Sequence, residues 1–140
     1  MPGVVIRTQH GPVSYDAGEK IIGGQAVEGR TGGVIGVAAA DSATFLGVAI
    51  NDAVPAASIQ TGTVDGVLNA APLPTRAAIA YNGMEVAVNF SADAAFGERL
   101  KVGALGSFVP IEDGDPAVAI CTEPGGVVAA TKNTGLARIL

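Results

Sequence analysis

Tryptophan is missing from this 140-residue chain, and tyrosine occurs twice, phenylalanine four times, histidine once and cysteine once. Aromatics make up only 4% of the residues, which argues against a ring-lined cleft for sugars or bases. A single cysteine leaves no internal disulfide. Within Ala117-Val118-Ala119-Ile120-Cys121 it reads as a small buried hydrophobe, and the chain is expected in a reducing compartment. One His and one Cys fall short of the three or four ligands that hold zinc. Charged residues are sparse at 15%, and the eight basic ones nowhere form a run or alternate with aromatics. No phosphate-tracking stripe exists, so no direct nucleic-acid contact is expected. Long apolar runs are also wanting. The stretch Gly32–Ala40 has nine residues, where a spanning helix needs about 20, so the mean hydropathy of +0.43 does not mark a membrane protein. The opening Met-Pro-Gly-Val-Val-Ile-Arg has neither the basic region nor the apolar core of a signal peptide.

What the chain does have is alanine, valine and 20 glycines, with a net charge of −5. Small residues of this kind fill thin, close-packed layers and tight turns. High hydropathy without a membrane segment implies apolar surface covered by other subunits, so a compact homo-oligomer is expected, a trimer first among them. Apolar segments are short and bounded by Gly, Pro, Asn or Asp, which punctuates strands. Strands are predicted at Val4–Thr8, Lys20–Ile22, Gln25–Glu28, Val34–Ala38, Thr44–Ile50, Thr75–Ala80, Met84–Phe90, Arg99–Val102, Ser107–Ile111, Ala117–Thr122, Val127–Ala130 and Ala137–Leu140. In Met84–Phe90 the alternation places Met84, Val86, Val88 and Phe90 on one face. The preceding Tyr81-Asn82-Gly83 is an Asn-Gly turn, predicting a hairpin between Arg76–Ala80 and Met84–Phe90. Helix is scarce, with at most a turn or two over Ala92–Glu98. Loops are predicted at Asp52–Ala57, Asn69–Pro74, Glu112–Pro116 and Thr131–Gly135, and Asp52–Pro74 alternates enough to pair as an edge strand or arm. The fold class is all-β: one domain, residues 1–140, built as a small β-barrel or β-sandwich of short strands with long loops. Met1–Thr8 is expected as a peripheral strand or arm, because Val4-Val5-Ile6 is too apolar to stay exposed.

Two phrases nearly repeat: Ala17-Gly18-Glu19-Lys20-Ile21 and Phe96-Gly97-Glu98-Arg99-Leu100. Gly47-Val48-Ala49-Ile50 and Gly135-Leu136-Ala137-Arg138 follow them downstream, at a different spacing that a loop insertion would explain. The match is short, and two readings stand: a weak internal duplication, or chance likeness. Gly18 and Gly97 would make tight turns, and Glu19 and Glu98 would face solvent or cap backbone N–H groups. Lys20 and Arg99 would lie outside strands whose Ile21 and Leu100 point inward.

Chemistry has little to work with. His10 lies in a turn, Thr8-Gln9-His10-Gly11-Pro12; with Asp16 nearby it still lacks a nucleophile on an elbow. The doublets Gly23-Gly24, Gly32-Gly33 and Gly125-Gly126 lack the frame of a phosphate loop. Glu112-Asp113-Gly114-Asp115 resembles part of a calcium loop but lacks its spaced ligands and distal Glu, and reads as a solvated hairpin tip. No catalytic residue, metal or cofactor is assigned, and the chain is expected not to be an enzyme.

Taken in order, Gly11-Pro12-Val13, Ala17-Gly18-Glu19, Gly23-Gly24-Gln25-Ala26-Val27, Gly47-Val48-Ala49, Phe96-Gly97-Glu98-Arg99-Leu100, Gly106-Ser107-Phe108-Val109 and Gly135-Leu136-Ala137 resemble the small head-decoration, or capsid cement, proteins of tailed bacteriophages. The resemblance spans most of the chain, Asp52–Pro74 matching least. It implies a virion protein, made in the host cytoplasm, that binds the capsid exterior and bridges major capsid subunits, with Val4, Val5, Ile6 and Arg7 as contact residues. A tail or baseplate β-protein is the alternative. A small trimeric β-barrel enzyme such as a nucleotide hydrolase ranks below it, since phosphate- and base-binding signatures are not evident.

Overall fold

The computed structural model describes residues 11–56 and 74–140. Strands β1 (Val13–Ala17), β2 (Ala26–Arg30), β3 (Val34–Val37), β4 (Phe45–Ala49) and β5 (Arg76–Ala80) close into a barrel in the order β1-β3-β2-β4-β5. Strands β6 (Glu85–Asn89), β7 (Arg99–Val102), β8 (Phe108–Pro110), β9 (Ala119–Cys121) and β10 (Thr134–Ile139) make a five-stranded sheet in the order β6-β10-β9-β7-β8. The fold is all-β, as the short Gly-bounded segments predict.

Both units follow one path. In the first, β2 lies antiparallel between β3 and β4, β5 pairs with β4 and β1, and β1 runs parallel to β3. In the second, β7 lies antiparallel between β8 and β9, and β10 pairs with β9 and β6. A single parallel bridge, Phe90 to Phe108, stands where β1 meets β3. The registers agree to within one residue. A shift of 73 carries the pair Ala17–Ile35 onto Phe90–Phe108 and Val27–Val37 onto Leu100–Pro110. Ala26–Val48 answers to Arg99–Ile120 and the bridge Ile21–Ala53 to Ala94–Val127, the first members again 73 apart and the second members 72 and 74 apart. Even the turns match: the N–H of Gly24 donates to Ala49 (2.8 Å) and that of Gly97 to Cys121 (2.7 Å).

Packing repeats as well. Ala17, Ile21, Val27, Ile35, Ala49, Ala53, Ala77 and Ile79 fill the first unit. Their counterparts Phe90, Ala94, Leu100, Phe108, Cys121, Val127, Gly135 and Ala137 are all buried in the second. Large and small residues trade places, Ala17 for Phe90 but Ile79 for Ala137, which holds volume near the interior density that packing demands. Cys121 is a free thiol in this interior, as its apolar neighbours predict.

The duplication is therefore in the fold, but not in the register the repeated phrases suggest. Gly97 pairs with Gly24, not Gly18. Gly24 and Gly97 both turn the chain at positive φ (94° and 87°). Gly18 has no such conformation; it is small because a Cβ there would lie 2.7 Å from a Val34 methyl. Gly47 and Gly135 fall on non-equivalent strands, β4 and β10. The insertion lies between β4 and β5, 26 residues (50–75) against 12 between β9 and β10 (122–133).

The predicted hairpin across Tyr81-Asn82-Gly83 is corrected too. The turn forms, with the Met84 N–H donating to Tyr81 (3.1 Å) and Gly83 at φ 80°. Both edges of β5 are already taken by β1 and β4, and β6 pairs with β10, so the turn links the units instead. Strand β1 was not expected, although Val13-Ser14-Tyr15-Asp16-Ala17 alternates in burial. Ile21 and Val127 each make one bridge instead of the strands Lys20–Ile22 and Val127–Ala130. The strand at Val4–Thr8 and most of the Asp52–Pro74 arm lie outside the described residues.

The units join along a seam. Ala26, Ala38 and Val48 of the first belong to the same buried cluster as Phe90, Val102 and Phe108 of the second. The Phe45 ring meets Phe108 edge-on, centroids 6.3 Å apart. Main-chain bonds cross the seam from Asp41 N–H to Val102 (3.2 Å) and from Asn89 N–H to Gly24 (3.1 Å).

Candidate functional site

Sequence-predicted polar residues are placed one by one, and they do not converge. His10 and the segment Val4, Val5, Ile6 and Arg7 lie outside the described residues. Asp16 is exposed and pairs with Arg76 at 3.5 Å. The Glu19 carboxylate accepts the Val37 N–H (2.8 Å) and meets Arg30 at 2.7 Å. Glu98 accepts the Ala95 N–H at 2.9 Å, and its counterpart Gln25 accepts that of Ile22 at the same distance. Both glutamates thus cap backbone donors, as expected of them.

Glu112-Asp113-Gly114-Asp115 forms a turn between β8 and β9, which are not paired, so it is no hairpin tip. Asp115 accepts the Glu112 N–H (3.1 Å) and the Lys101 ammonium (2.8 Å). That ammonium, and then the Glu112 N–H, hold the Asp115 carboxyl below its usual range, and the same bond raises Lys101. Lys101 also reaches Asp41 of the first unit at 3.7 Å. Its counterpart Glu28 does the same work with the opposite charge. Glu28 accepts the Ala39 N–H at 2.8 Å, pinning the β3–β4 loop as Lys101 pins the β8–β9 loop. That bond first, then the Ser42 hydroxyl and Arg30, lower the Glu28 carboxyl. No cluster of three metal-ligating His, Cys, Asp or Glu side chains exists among the described residues.

Apolar surface is the other chemistry on offer. Two places stand out, one at each end of β7. Before it, Ala95, Phe96, Pro124, Gly126, Val127 and Val128 line an open cup of about 460 Å³, with Phe96 65% and Val128 54% exposed. The rim carboxylates are committed, Glu98 to Ala95 N–H and Asp93 to Ala129 N–H (2.9 Å). In the first unit Gly23 stands at the place of Phe96, and Val54, the counterpart of Val128, is buried with its N–H bonded to Pro74.

Beyond the other end of β7, a 3-10 turn (Ala104–Gly106) carries Leu105, which is 82% exposed. Leu105 sits at φ 56°, ψ 36°, where its counterpart in the first unit is Gly32 at φ 92°. The turn is pinned to the first unit. Gln25 Nε2 donates to the Leu105 carbonyl (3.2 Å), and a Cβ on Gly106 would sit 2.9 Å from the Ala26 carbonyl. Sequence reading passed over Leu105, because only the register of the repeat sets it against a glycine. No protein-family model matches the chain, and no curated protein matches it.

Proposed function

We propose that the protein is a structural component of a tailed-phage head, binding the capsid exterior and bridging major capsid subunits, and that it works by contact and not by catalysis. The observation that carries this reading is where its side chains are spent. The acids Glu19, Glu28, Glu98 and Asp115 are bound to backbone donors or ion pairs within the chain, while large apolar side chains such as Phe96, Leu105 and Val128 stand in solvent. Exposed aliphatic surface on a small, weakly charged protein suits contact with other proteins. A pair of like units fixed in tandem offers a bridging shape, and copies repeated over a shell multiply a modest single-site energy. The sequence resemblance to capsid cement proteins points the same way.

The test is heat resistance of phage heads lacking the protein, measured with and without its addition. Added protein should bind and raise the temperature at which heads release DNA. Deleting Met1–Thr8, which carries Val4, Val5, Ile6 and Arg7, should weaken binding more than it weakens folding. Heads that neither bind the full chain nor gain heat resistance would overturn the proposal.

A further inference from the structure

The turn that joins the units carries the chain's one Asn-Gly step, Asn82-Gly83, among five asparagines. Such a step is chemically labile. The glycine amide nitrogen, once deprotonated, attacks the carboxamide carbon of the asparagine before it, and without a Cβ the glycine leaves that approach unhindered. Two features decide whether the attack happens here. The first is the freedom of the carboxamide. Asn51 is held on both sides, its Nδ2 donating to the carbonyls of Asp52 (2.9 Å) and Arg76 (3.2 Å) and its Oδ1 accepting the Ala78 N–H (2.7 Å). Asn82 is exposed, and among the described residues nothing holds its carboxamide. The second is the nucleophile, and that is held. The Gly83 N–H donates to the Ile139 carbonyl at 2.6 Å, and the Ile139 N–H donates back to Met84 at 2.9 Å. An amide whose proton is bonded to a carbonyl neither gives that proton up nor turns toward its neighbour.

We propose that Asn82 is a site of spontaneous deamidation, and that the end of β10 gates it through the Ile139 carbonyl. When that end lifts, the Gly83 nitrogen bonds to Cγ of Asn82. The Cγ–Nδ2 bond breaks, and Nδ2 leaves as ammonia, taking up the proton given up by Gly83; a succinimide ring remains. Water then opens the ring. Attack at Cγ gives aspartate, and attack at the main-chain carbonyl gives isoaspartate, whose main chain runs through the former side chain. Either product adds a negative charge to the turn. Isoaspartate also lengthens the turn by one carbon, so the two bonds that Gly83 and Met84 make with Ile139 no longer fit together. The reaction follows from the fold alone and does not depend on binding to a phage head.

The experiment is peptide mapping by mass spectrometry on the full chain held in mildly alkaline buffer, both folded and in unfolding urea. Folded wild type should convert Asn82 at least about tenfold more slowly than the unfolded chain, since only the opened fraction reacts. Ile139→Val trims the buried side chain that seats the end of β10, and should speed conversion in the folded protein. Ile35→Val makes the same loss in the interior of the first unit and should change the rate far less. Circular dichroism should show both variants folded. Asn82→Ser should give no product at this position and sets the baseline for the other asparagines. Equal rates in the folded and unfolded chain would overturn the gate. So would an Ile139→Val rate no faster than that of Ile35→Val, which would assign the reaction to global unfolding. An unfolded chain that forms neither aspartate nor isoaspartate at position 82 would overturn the site itself.

Discussion

Phe108 belongs to both the second unit's interior and the seam: fully buried, bridged to Phe90 within the unit and edge-on to Phe45 across it. Its counterpart Ile35 fills only the first unit. Truncation at 108 therefore opens a cavity and removes a seam contact together. Phe108→Ala should destabilise the protein by about 3–5 kcal/mol, the range for large aromatic truncations in a core. Ile35→Val, losing one methyl group, should cost about 0.5–1.5 kcal/mol. Urea unfolding of both variants checks this, and a Phe108→Ala loss no larger than that of Ile35→Val would overturn it.

Among the elements, the two crossing loops depend on charge in opposite ways. Glu28 fixes the β3–β4 loop through Ala39 N–H, and Lys101 fixes the β8–β9 loop through Asp115. Both carboxyls titrate lower in the fold than in the free chain. Their stabilisation is complete above the ordinary carboxylate range near pH 4 and is lost as pH falls through the lowered values. The groups facing Glu28 are Arg30 and, through it, Glu19; those facing Asp115 are Lys101, Glu112 and Asp41. Thermal midpoints should fall on acidification below about pH 4.5. Glu28→Gln should lower stability at neutral pH and flatten that acid limb, read from melting curves across pH. An unchanged limb would remove Glu28 from the account.

Strands such as Val34–Val37 and Arg99–Val102 were legible because β-branched and apolar residues sit between turn glycines. Pairing was not. The Asn-Gly turn at Asn82-Gly83 is a sound local signal, but partner choice depends on which edges remain open, a property of the closed sheet. The apolar cup was invisible for a similar reason. Phe96 and Val128 line it from 32 positions apart in sequence, and only the fold brings them to one place.

At the scale of the whole molecule, the two units are continuous in sequence. Among the described residues, every strand partner of the first unit is in place by Ala80, and the second begins at Glu85. The barrel can thus close while the remainder is still being synthesised, since domains form as their residues emerge. During that interval Ala26, Ala38 and Val48 lack Phe90, Val102 and Phe108, the described residues that complete their buried cluster. Nascent chains therefore pass through a stage with a bare apolar flank. A chain ending at Gly83 should be rich in strand by circular dichroism yet bind a hydrophobic dye and precipitate more readily than the full protein. The second half would then act toward the first as a built-in chaperone, supplied in fixed stoichiometry by the same message.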